Sequence, residues 1–198
     1  GCVVVGPGIG RSEGAVAFAR AVARRVEAPV LVDADGLNAH AGTLELLRER
    51  PGPTVLTPHA GELGRLLARD SSEVTAHRLA SAREAAERSG AVVVLKGDDS
   101  IVAAPDGIVA VSPGGSPALA TAGTGDVLSG VIGALLAKGL GAFEAAAAGV
   151  LAHGRAGRVA AARFGADHTI ASDVVDALPA ALGGPAGRRE RRAATGAG

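Results

Sequence analysis

The 198-residue sequence contains no methionine, tyrosine or tryptophan, and its single cysteine is Cys2. One cysteine cannot form a disulfide within the chain, so we expect a reducing, cytoplasmic environment. The sequence also lacks an excess of charge of either sign, because 20 basic residues balance 20 acidic residues. This balance argues against broad attraction to nucleic acid, and the short, interrupted apolar runs argue against a membrane partner.

The absence of methionine also bears on the start of the chain. Residue 1 is glycine, and Cys2-Val3-Val4-Val5 already has the composition of a strand. We therefore expect an N-terminally truncated sequence, with part of the fold upstream. At the other end, residues 184–198 have no apolar period, so we predict a partial domain at 1–183 followed by a disordered basic tail.

Two polar residue types are scarce. Lysine occurs only at positions 96 and 138, against 18 arginines, asparagine occurs only at position 38, and glutamine is absent. We interpret this composition as the product of a GC-rich genome, in which residues with AT-rich codons persist where the protein needs them. Lys96 and Asn38 are therefore candidate functional residues, with chance survival as the alternative for each.

Short β-branched runs alternate with longer segments of helical period along the chain. Strands are predicted at residues 2–5, 30–33, 53–56, 91–95, 100–104 and 107–111. Helices are predicted at residues 13–26, 43–49, 60–68, 75–89, 126–138, 142–164 and 172–181. This alternation predicts an α/β fold, a three-layer α/β/α sandwich with a mostly parallel sheet. Pro105-Asp106-Gly107 predicts a hairpin between the last two strands.

Glycines and polar residues concentrate directly after the predicted strands. These segments are GPGIG at 6–10, DADGLN at 33–38, TPHAGE at 57–62, KGDDS at 96–100 and the glycine-rich stretch 114–126. If the strands are parallel, the segments share the carboxyl edge of the sheet, where open α/β folds bind ligands. We therefore predict the ligand site at this edge.

Each of these segments also has a purely structural interpretation. GPGIG lacks the spacing of a dinucleotide fingerprint, so it is either a tight turn or a place where Gly8 lets a substrate approach the backbone. Asp33 and Asp35 have a spacing that can bind a divalent cation, but Asp35 capping a helix explains it equally well. His59 is either a cap-region residue or a contact to a polar ligand. Lys96 is either a surface cation or a contact to a nucleotide phosphate.

Asp126 stands at the start of an apolar helix, directly after Ala122-Gly123-Thr124-Gly125. Glycine-rich backbone before a helix exposes N–H groups at the positive end of the helix dipole, an arrangement that binds anions. An acid stabilised by that dipole is the structural alternative, but it leaves the preceding glycines unexplained. Phosphoryl transfer to a hydroxyl needs donors for the phosphate oxygens and a base for the hydroxyl proton. Residues 122–125 and Asp126 can supply both.

The ordered set GPGIG, VDADGLN, LTPHAGE, VVLKGDDS and ATAGTGDVLSG resembles the ADP-dependent NAD(P)H-hydrate dehydratase family of the ribokinase-like superfamily, over about residues 3–182. The resemblance implies a ribokinase-like fold and a hydro-lyase that dehydrates (6S)-NADHX and (6S)-NADPHX, the hydrated forms of NADH and NADPH. Such an enzyme consumes ADP, releases AMP and phosphate, and repairs nicotinamide nucleotides. The alternative is a small-molecule hydroxyl kinase of the same superfamily, similar to hydroxyethylthiazole kinase or pyridoxal kinase.

The resemblance also implies roles for individual residues. Asp126 would be the catalytic base and would contact the hydrate together with Gly8 and His59. We assign Asn38 to the same substrate site because it is the only asparagine. The residues expected to bind the nucleotide are Lys96, Gly97, Asp98, Asp99, Ser100 and Gly125. The residues expected to form the anion hole are Ala122, Gly123, Thr124 and Gly125.

The implied cofactors are Mg²⁺ and a phosphoryl donor, ADP or ATP, and the sequence assigns no metal ligand. The implied partners are the small molecules NADHX, NADPHX and ADP, and we expect a homotetramer because such enzymes assemble as tetramers. Two departures from the family matter. The chain lacks the upstream glycine-rich segment that contributes to the substrate site, and Ser116 stands where the family has asparagine.

Overall fold

The computed structural model describes residues 1–183, and the predicted tail at 184–198 lies outside the described residues. All six predicted strands are present. They are β1 (Val3–Val5), β2 (Val30–Val32), β3 (Thr54–Leu56), β4 (Val92–Leu95), β5 (Ile101–Ala103) and β6 (Val109–Val111). They form one sheet in the order β1 to β6, with parallel pairing from β1 to β4 and antiparallel pairing of β4 with β5 and β5 with β6. Because β6 again runs in the direction of β4, the prediction of a mostly parallel sheet is confirmed.

Helices cover both faces of this sheet. The α-helices described are α1 (Glu13–Arg25), α2 (Ala34–Asn38), α3 (Ala60–Leu67), α4 (Ser71–Ala76), α5 (Arg78–Ser89), α6 (Thr124–Ala137), α7 (Ala142–Phe164) and α8 (Ala171–Leu182). One core lies between the sheet and α1–α5, the other between the sheet and α6 and α7, while α8 packs on α7. The three-layer α/β/α sandwich is therefore confirmed.

The helices differ from the prediction in four ways. The predicted helix at 43–49 is a 3₁₀ helix, Leu44–Glu49. The predicted helix at 75–89 is two helices, because the backbone of His77 (φ −129°, ψ 45°) leaves the helical region. Helix α6 begins at Thr124 rather than at residue 126, because Gly123 in a left-handed conformation ends the loop earlier. Three short helices were not predicted, α2 and the 3₁₀ helices Pro117–Ala120 and Ala166–His168, because their segments have the composition of loops. The helical region predicted to start at residue 75 begins earlier, at Ser71.

Helix α7 packs closely because its inner face carries small residues. A Cβ on Gly149 would lie 2.4 Å from Cγ1 of Ile132 in α6, and a Cβ on Gly157 would lie 2.6 Å from Cγ of Leu119. The absence of side chains at these two points lets α7 approach α6 and the preceding 3₁₀ helix. Although α7 has 23 residues, no helix within 1–183 is long and apolar enough to cross a membrane.

Candidate functional site

A cleft of about 900 Å³ opens between the loops that follow β3, β4 and β6, the start of α6 and the middle of α7. It lies at the carboxyl edge of the parallel strands, where the sequence predicts the site. The predicted site residues that line the cleft are His59, Lys96, Gly97, Asp98, Ser100, Thr124 and Gly125. The predicted site residues that do not line it are Gly8, Asn38, Asp99, Ala122, Gly123 and Asp126.

The wall of the cleft combines a polar end with an apolar surface. Lys96 and Thr124 belong to the polar end, whereas Leu119, Leu128 and Val150 provide apolar contact area. Ligand sites in proteins commonly join apolar walls to a few polar groups that orient the ligand. The sequence prediction missed the three apolar residues, because helical periodicity marks Leu128 and Val150 only as core positions and Leu119 lies in a segment predicted as a loop.

The start of α6 has the open backbone amides that anion binding requires. Gly123 is the N-cap, with a φ of 87°. Within residues 1–183, the N–H groups of Ala122, Gly123 and Gly125 donate to no protein acceptor. Thr124 is different, because its N–H bonds to the Thr121 carbonyl at 3.3 Å and its buried hydroxyl donates to two backbone carbonyls at 2.7 and 2.8 Å. Three of the four predicted anion-hole amides are therefore open, and Thr124 braces the turn.

Asp126 lies in the first turn of α6 and is exposed. In the described part of the chain its carboxylate has no ion pair and no hydrogen bond. It follows Gly125, which lines the cleft, and a Cβ on Gly125 would lie 3.7 Å from Nζ of Lys96. The acid is thus on the surface, beside the polar end of the cleft, and its role as the catalytic base stays a prediction.

Two acidic side chains that are almost completely buried hold the Lys96 side chain. Its Nζ lies 3.0 Å from Oδ1 of Asp33 and 3.7 Å from Oε2 of Glu62. The side chains of Asp33 and Glu62 are 2% and 8% exposed. The Lys96 side chain is half-buried, and its ammonium group is stabilised by such partners because desolvation is costly without them. Lys96 is therefore a positioned cation, which decides against its interpretation as an ordinary surface residue.

Asp33 and Asp35 do not form a cation site together. Oδ1 of Asp33 accepts the Ala34 N–H at 2.8 Å and caps α2. The interpretation of Asp35 as the helix cap is therefore wrong. Asp35 instead accepts a hydrogen bond from Arg11 at 2.7 Å, which holds the pKa of this carboxyl below its usual range, with a smaller contribution from Asn38. The two carboxylates face different cations.

His59 has the cap role that the sequence analysis allowed, while its contact to a ligand stays a prediction. It is the N-cap of α3, and its Nδ1 accepts the N–H groups of Gly61 at 3.0 Å and Glu62 at 3.3 Å. Glu62 completes a capping box by accepting the His59 N–H at 2.9 Å. Because Nδ1 is an acceptor, the ring hydrogen of neutral His59 is on Nε2. The side chain is 55% exposed and lines the cleft.

Asn38 and Gly8 lie on the same edge but outside the cleft. The Asn38 amide donates to Asp35 at 3.1 Å and accepts from Arg65 at 2.8 Å, so both of its ends already have protein partners. Gly8 is exposed with a φ of 70°, a conformation that favours glycine whether or not a ligand binds.

Arg78, which the prediction missed, fixes the loop that follows β4. Its guanidinium donates to the carbonyl oxygens of Lys96 at 3.5 Å and Asp99 at 2.6 Å, and it pairs with the Asp99 carboxylate at 3.4 Å. A Cβ on Gly97 would lie 2.5 Å from this guanidinium, so a side chain there would require Arg78 to move. Asp99 therefore supports the loop from the side away from the cleft. Among 18 arginines, no local signal distinguished Arg78.

His153 in α7 is a second missed residue. It is buried and lines the cleft, and its Nε2 has no hydrogen-bond partner among the described residues. Burial lowers the pKa of His153, and the charge of Lys96 lowers it further, against a backbone hydrogen bond with Thr124 that raises it. The cleft therefore contains a neutral imidazole beside its lysine at neutral pH.

The fold and site together define a ribokinase-like α/β protein. A ribokinase-like superfamily protein of Enterococcus faecalis is similar over 90% of this chain and 61% of its own, with 25% identity and a TM-score of 0.76. The chain belongs to the NAD(P)H-hydrate dehydratase family, whose profile matches residues 1–180.

Two relatives of named activity are similar to this chain. The ADP/ATP-dependent NAD(P)H-hydrate dehydratase of Bacillus subtilis, co-crystallised with ATP/Mg²⁺ and soaked with CoA, is 31% identical with a TM-score of 0.81. That match covers 91% of this chain and 65% of the Bacillus chain. The bifunctional NAD(P)H-hydrate repair enzyme Nnr of Thermofilum pendens is 49% identical over 105 residues, which are 53% of this chain and 20% of Nnr. The match thus spans about a fifth of that relative.

Proposed function

We propose that this chain is part of an enzyme that dehydrates (6S)-NADHX and (6S)-NADPHX to NADH and NADPH with ADP as the phosphoryl donor. The observation that carries the proposal is the carboxylate of Asp126, which has no partner within residues 1–183 and lies one residue beyond Gly125 and its open amide. A phosphoryl-transfer site needs a base for the hydroxyl proton and, close to it, hydrogen-bond donors for the phosphate oxygens. The family match supports NADHX and NADPHX as substrates over the alternative, a small molecule whose phosphorylated hydroxyl would be the final product.

In the proposed reaction, the Asp126 carboxylate accepts the proton of the substrate hydroxyl while the hydroxyl oxygen attacks the terminal phosphorus of ADP. The amides of Ala122, Gly123 and Gly125 donate hydrogen bonds to the transferring phosphoryl oxygens, and Lys96 balances their charge. AMP leaves. The ring nitrogen then expels the new phosphate ester as phosphate, and loss of a ring proton restores the reduced nicotinamide.

The cleft would bind ADP in a single orientation. The apolar wall of Leu119, Leu128 and Val150 suits the base, and the polar end with Lys96 suits the phosphates. Mg²⁺ would enter with the nucleotide, since it prefers phosphate oxygens, water and one or two carboxylates. Asp98 lines the cleft and fits this requirement, whereas no group of three or more potential metal-ligating side chains was found within 1–183. When bound, Mg²⁺ would neutralise charge on the phosphates.

The hydrate would lie on the Asp126 side, above the loops that contain His59 and Gly8. Because His59 offers a hydrogen at Nε2, it suits a carbonyl oxygen, such as that of the substrate carboxamide. Asn38 forms hydrogen bonds with Asp35 and Arg65, so we propose that it supports the substrate site by holding the segment that follows β2.

The test is turnover by the full-length protein with NADHX, ADP and Mg²⁺. We expect the absorbance of the reduced ring to return while AMP and phosphate accumulate in equal amounts. A stable phosphorylated product, detected by mass spectrometry, would instead identify a hydroxyl kinase. No recovery of absorbance and no consumption of ADP would reject the enzymatic proposal.

The residue that separates catalysis from binding is Asp126. We expect Asp126→Asn to lower kcat by about 10²- to 10⁴-fold, the usual contribution of a positioned base, and to leave the Kd for ADP nearly unchanged. Asp106→Asn, in the turn between β5 and β6, is the matched control and should have normal kcat. Normal turnover by Asp126→Asn would refute the assignment of the base.

Assembly and location belong to the same proposal. We propose a cytoplasmic homotetramer that binds only small molecules. The single cysteine supports the location and the net charge of zero supports the absence of a nucleic-acid partner, whereas the subunit number rests on the family resemblance. Sedimentation velocity of the full-length protein tests the subunit number, and a monomer at micromolar concentration would contradict it.

A further inference from the structure

Asp33 connects three parts of the site through one buried carboxylate. Its Oδ1 lies 3.0 Å from Nζ of Lys96 at the end of β4, and its Oδ2 accepts the Ser129 hydroxyl of α6 at 2.7 Å. The residue is 1% exposed. We propose that Asp33 is a positioning residue, which holds Lys96 and the helix that carries Asp126 in one fixed geometry. This inference rests on the proposed function for its catalytic consequence only.

The bond to Lys96 depends on the charge of Asp33. A hydrogen bond between two ionised groups is roughly twice as strong as a neutral one. Asparagine at this position would keep a carbonyl oxygen as acceptor, but would leave Lys96 with one carboxylate, Glu62, at 3.7 Å. Lys96 would then move more freely and would be more accessible to solvent.

The bond to Ser129 depends on geometry. Ser129 follows Asp126 by three residues, so both lie on the same side of α6, one turn apart. Ser129 is buried and also lies 3.5 Å from the Thr57 hydroxyl. These bonds fix the rotation of α6 about its axis, and with it the direction in which Asp126 leaves the helix. A displacement of about 1 Å at a reacting group can lower a rate by about 10²-fold.

The backbone around Asp33 is closely packed and tightly constrained. Ala34 has a φ of 48°, a left-handed conformation that residues other than glycine rarely adopt. A Cβ on Gly6 would lie 1.7 Å from the carbonyl oxygen of Asp33, so the loops after β1 and β2 are in direct contact. Strained backbone of this kind persists where the surrounding structure determines it, often at functional sites.

The first test uses the fact that the chain contains two lysines, Lys96 and exposed Lys138. A brief pulse of an acetylating reagent, followed by mass spectrometry, measures the modification rate of Lys96 with Lys138 as the internal reference. We expect Asp33→Asn to raise the relative rate at Lys96 at least threefold. Asp35→Asn, which changes an acid two residues away that pairs with Arg11, should leave it unchanged.

The second test separates the two bonds by kinetics of the full-length protein. We expect Ser129→Ala to lower kcat about tenfold with the KM for ADP within twofold and Lys96 acetylation unchanged. Asp33→Asn should raise the KM for ADP as well. Asp33→Glu retains the charge and should return Lys96 acetylation towards the wild-type rate, while kcat stays low because the longer side chain shifts α6.

Wild-type acetylation of Lys96 in Asp33→Asn, with native circular dichroism, would overturn the proposal. So would a normal kcat in Ser129→Ala. If Asp33→Asn does not fold, the Ser129→Ala and Asp33→Glu results decide. The acetylation result needs no substrate, so it stands even if the wild-type protein fails to turn over NADHX, which would refute the proposed function alone.

Discussion

At the scale of residues, His153 illustrates how burial changes chemistry. Burial lowers its pKa in the folded protein, whereas in the unfolded chain the imidazole has its ordinary value of about 6.5. Between these two values the unfolded chain binds more protons than the folded protein. The free energy of unfolding therefore rises with pH through this window and is unaffected by His153 well above pH 6.5.

We predict that His153→Gln reduces this pH dependence. The free energy of unfolding of the wild type should fall as pH decreases from about 8 to about 5, and that of the variant should fall less. Some dependence should persist, because burial also lowers the pKa of His40. Urea unfolding across this range measures the effect, with exposed His168→Gln as the control. Equal slopes in the wild type and His153→Gln would contradict the prediction.

Local sequence marks some site residues and not others. Asp126 follows a glycine-rich segment, Lys96 is one of only two lysines, and His59 follows a proline before a helix. Local sequence therefore marked each of them as a candidate. The partners of Asp33 are 63 and 96 residues away in the sequence, and only the folded chain brings them together. The spacing of Asp33 and Asp35 suggested either a cation pair or a cap by Asp35, and neither is observed, because Asp33 pairs with Lys96 and Asp35 with Arg11.

At the scale of elements, the start of α6 depends on one glycine. Gly123 has a φ of 87°, and a Cβ there would lie 3.2 Å from Cβ of Ala171. An L-residue in this conformation costs about 1–2 kcal/mol, and a shift of the turn would also displace the open amides. Gly130 in the same helix has nothing within 4 Å of its Cβ position and no left-handed φ.

We predict opposite effects of alanine at these two glycines. Gly123→Ala should lower the free energy of unfolding by about 1–2 kcal/mol and lower kcat. Gly130→Ala should raise the free energy of unfolding by up to about 1 kcal/mol, because alanine is the better helix former. Guanidinium unfolding and steady-state kinetics measure both variants. Equal stabilities of the two variants would show that the left-handed conformation does not matter.

The strands were the most predictable elements. Their β-branched runs are bounded by turn residues, and all six were found within two residues of the predicted ends. The break between α4 and α5 was not predictable, because neither glycine nor proline marks His77. Here the tertiary packing of two short helices overrides a continuous helical pattern.

At the scale of the whole molecule, the sheet separates two cores. Val30 and Val32 belong to the core beneath α1–α5, whereas Leu31 between them belongs to the core beneath α6 and α7. Alternation of side chains along a strand has this result when both faces are covered. The alternation of strands and helices was therefore enough to predict the layers, while the exact packing of α7 depends on glycines whose role appears only in three dimensions.

We predict a large loss of stability when the second core is opened. Leu31→Ala should lower the free energy of unfolding by about 2–5 kcal/mol, because the side chain is completely buried. Leu46→Ala, at an exposed leucine, should change it by less than about 0.5 kcal/mol. Denaturant unfolding of both variants tests this, and a small effect of Leu31→Ala would argue against a packed core between sheet and α6.

The hairpin of β5 and β6 has a practical consequence. Because β5 is antiparallel to β4 and β6, the turn at 105–107 lies at the end of the molecule opposite to the cleft. Pro105 and Asp106 are exposed there. A fluorophore or an immobilisation handle attached at this turn leaves the entrance of the cleft pointing into solution, so that ligand capture on a sensor chip measures an unobstructed cleft.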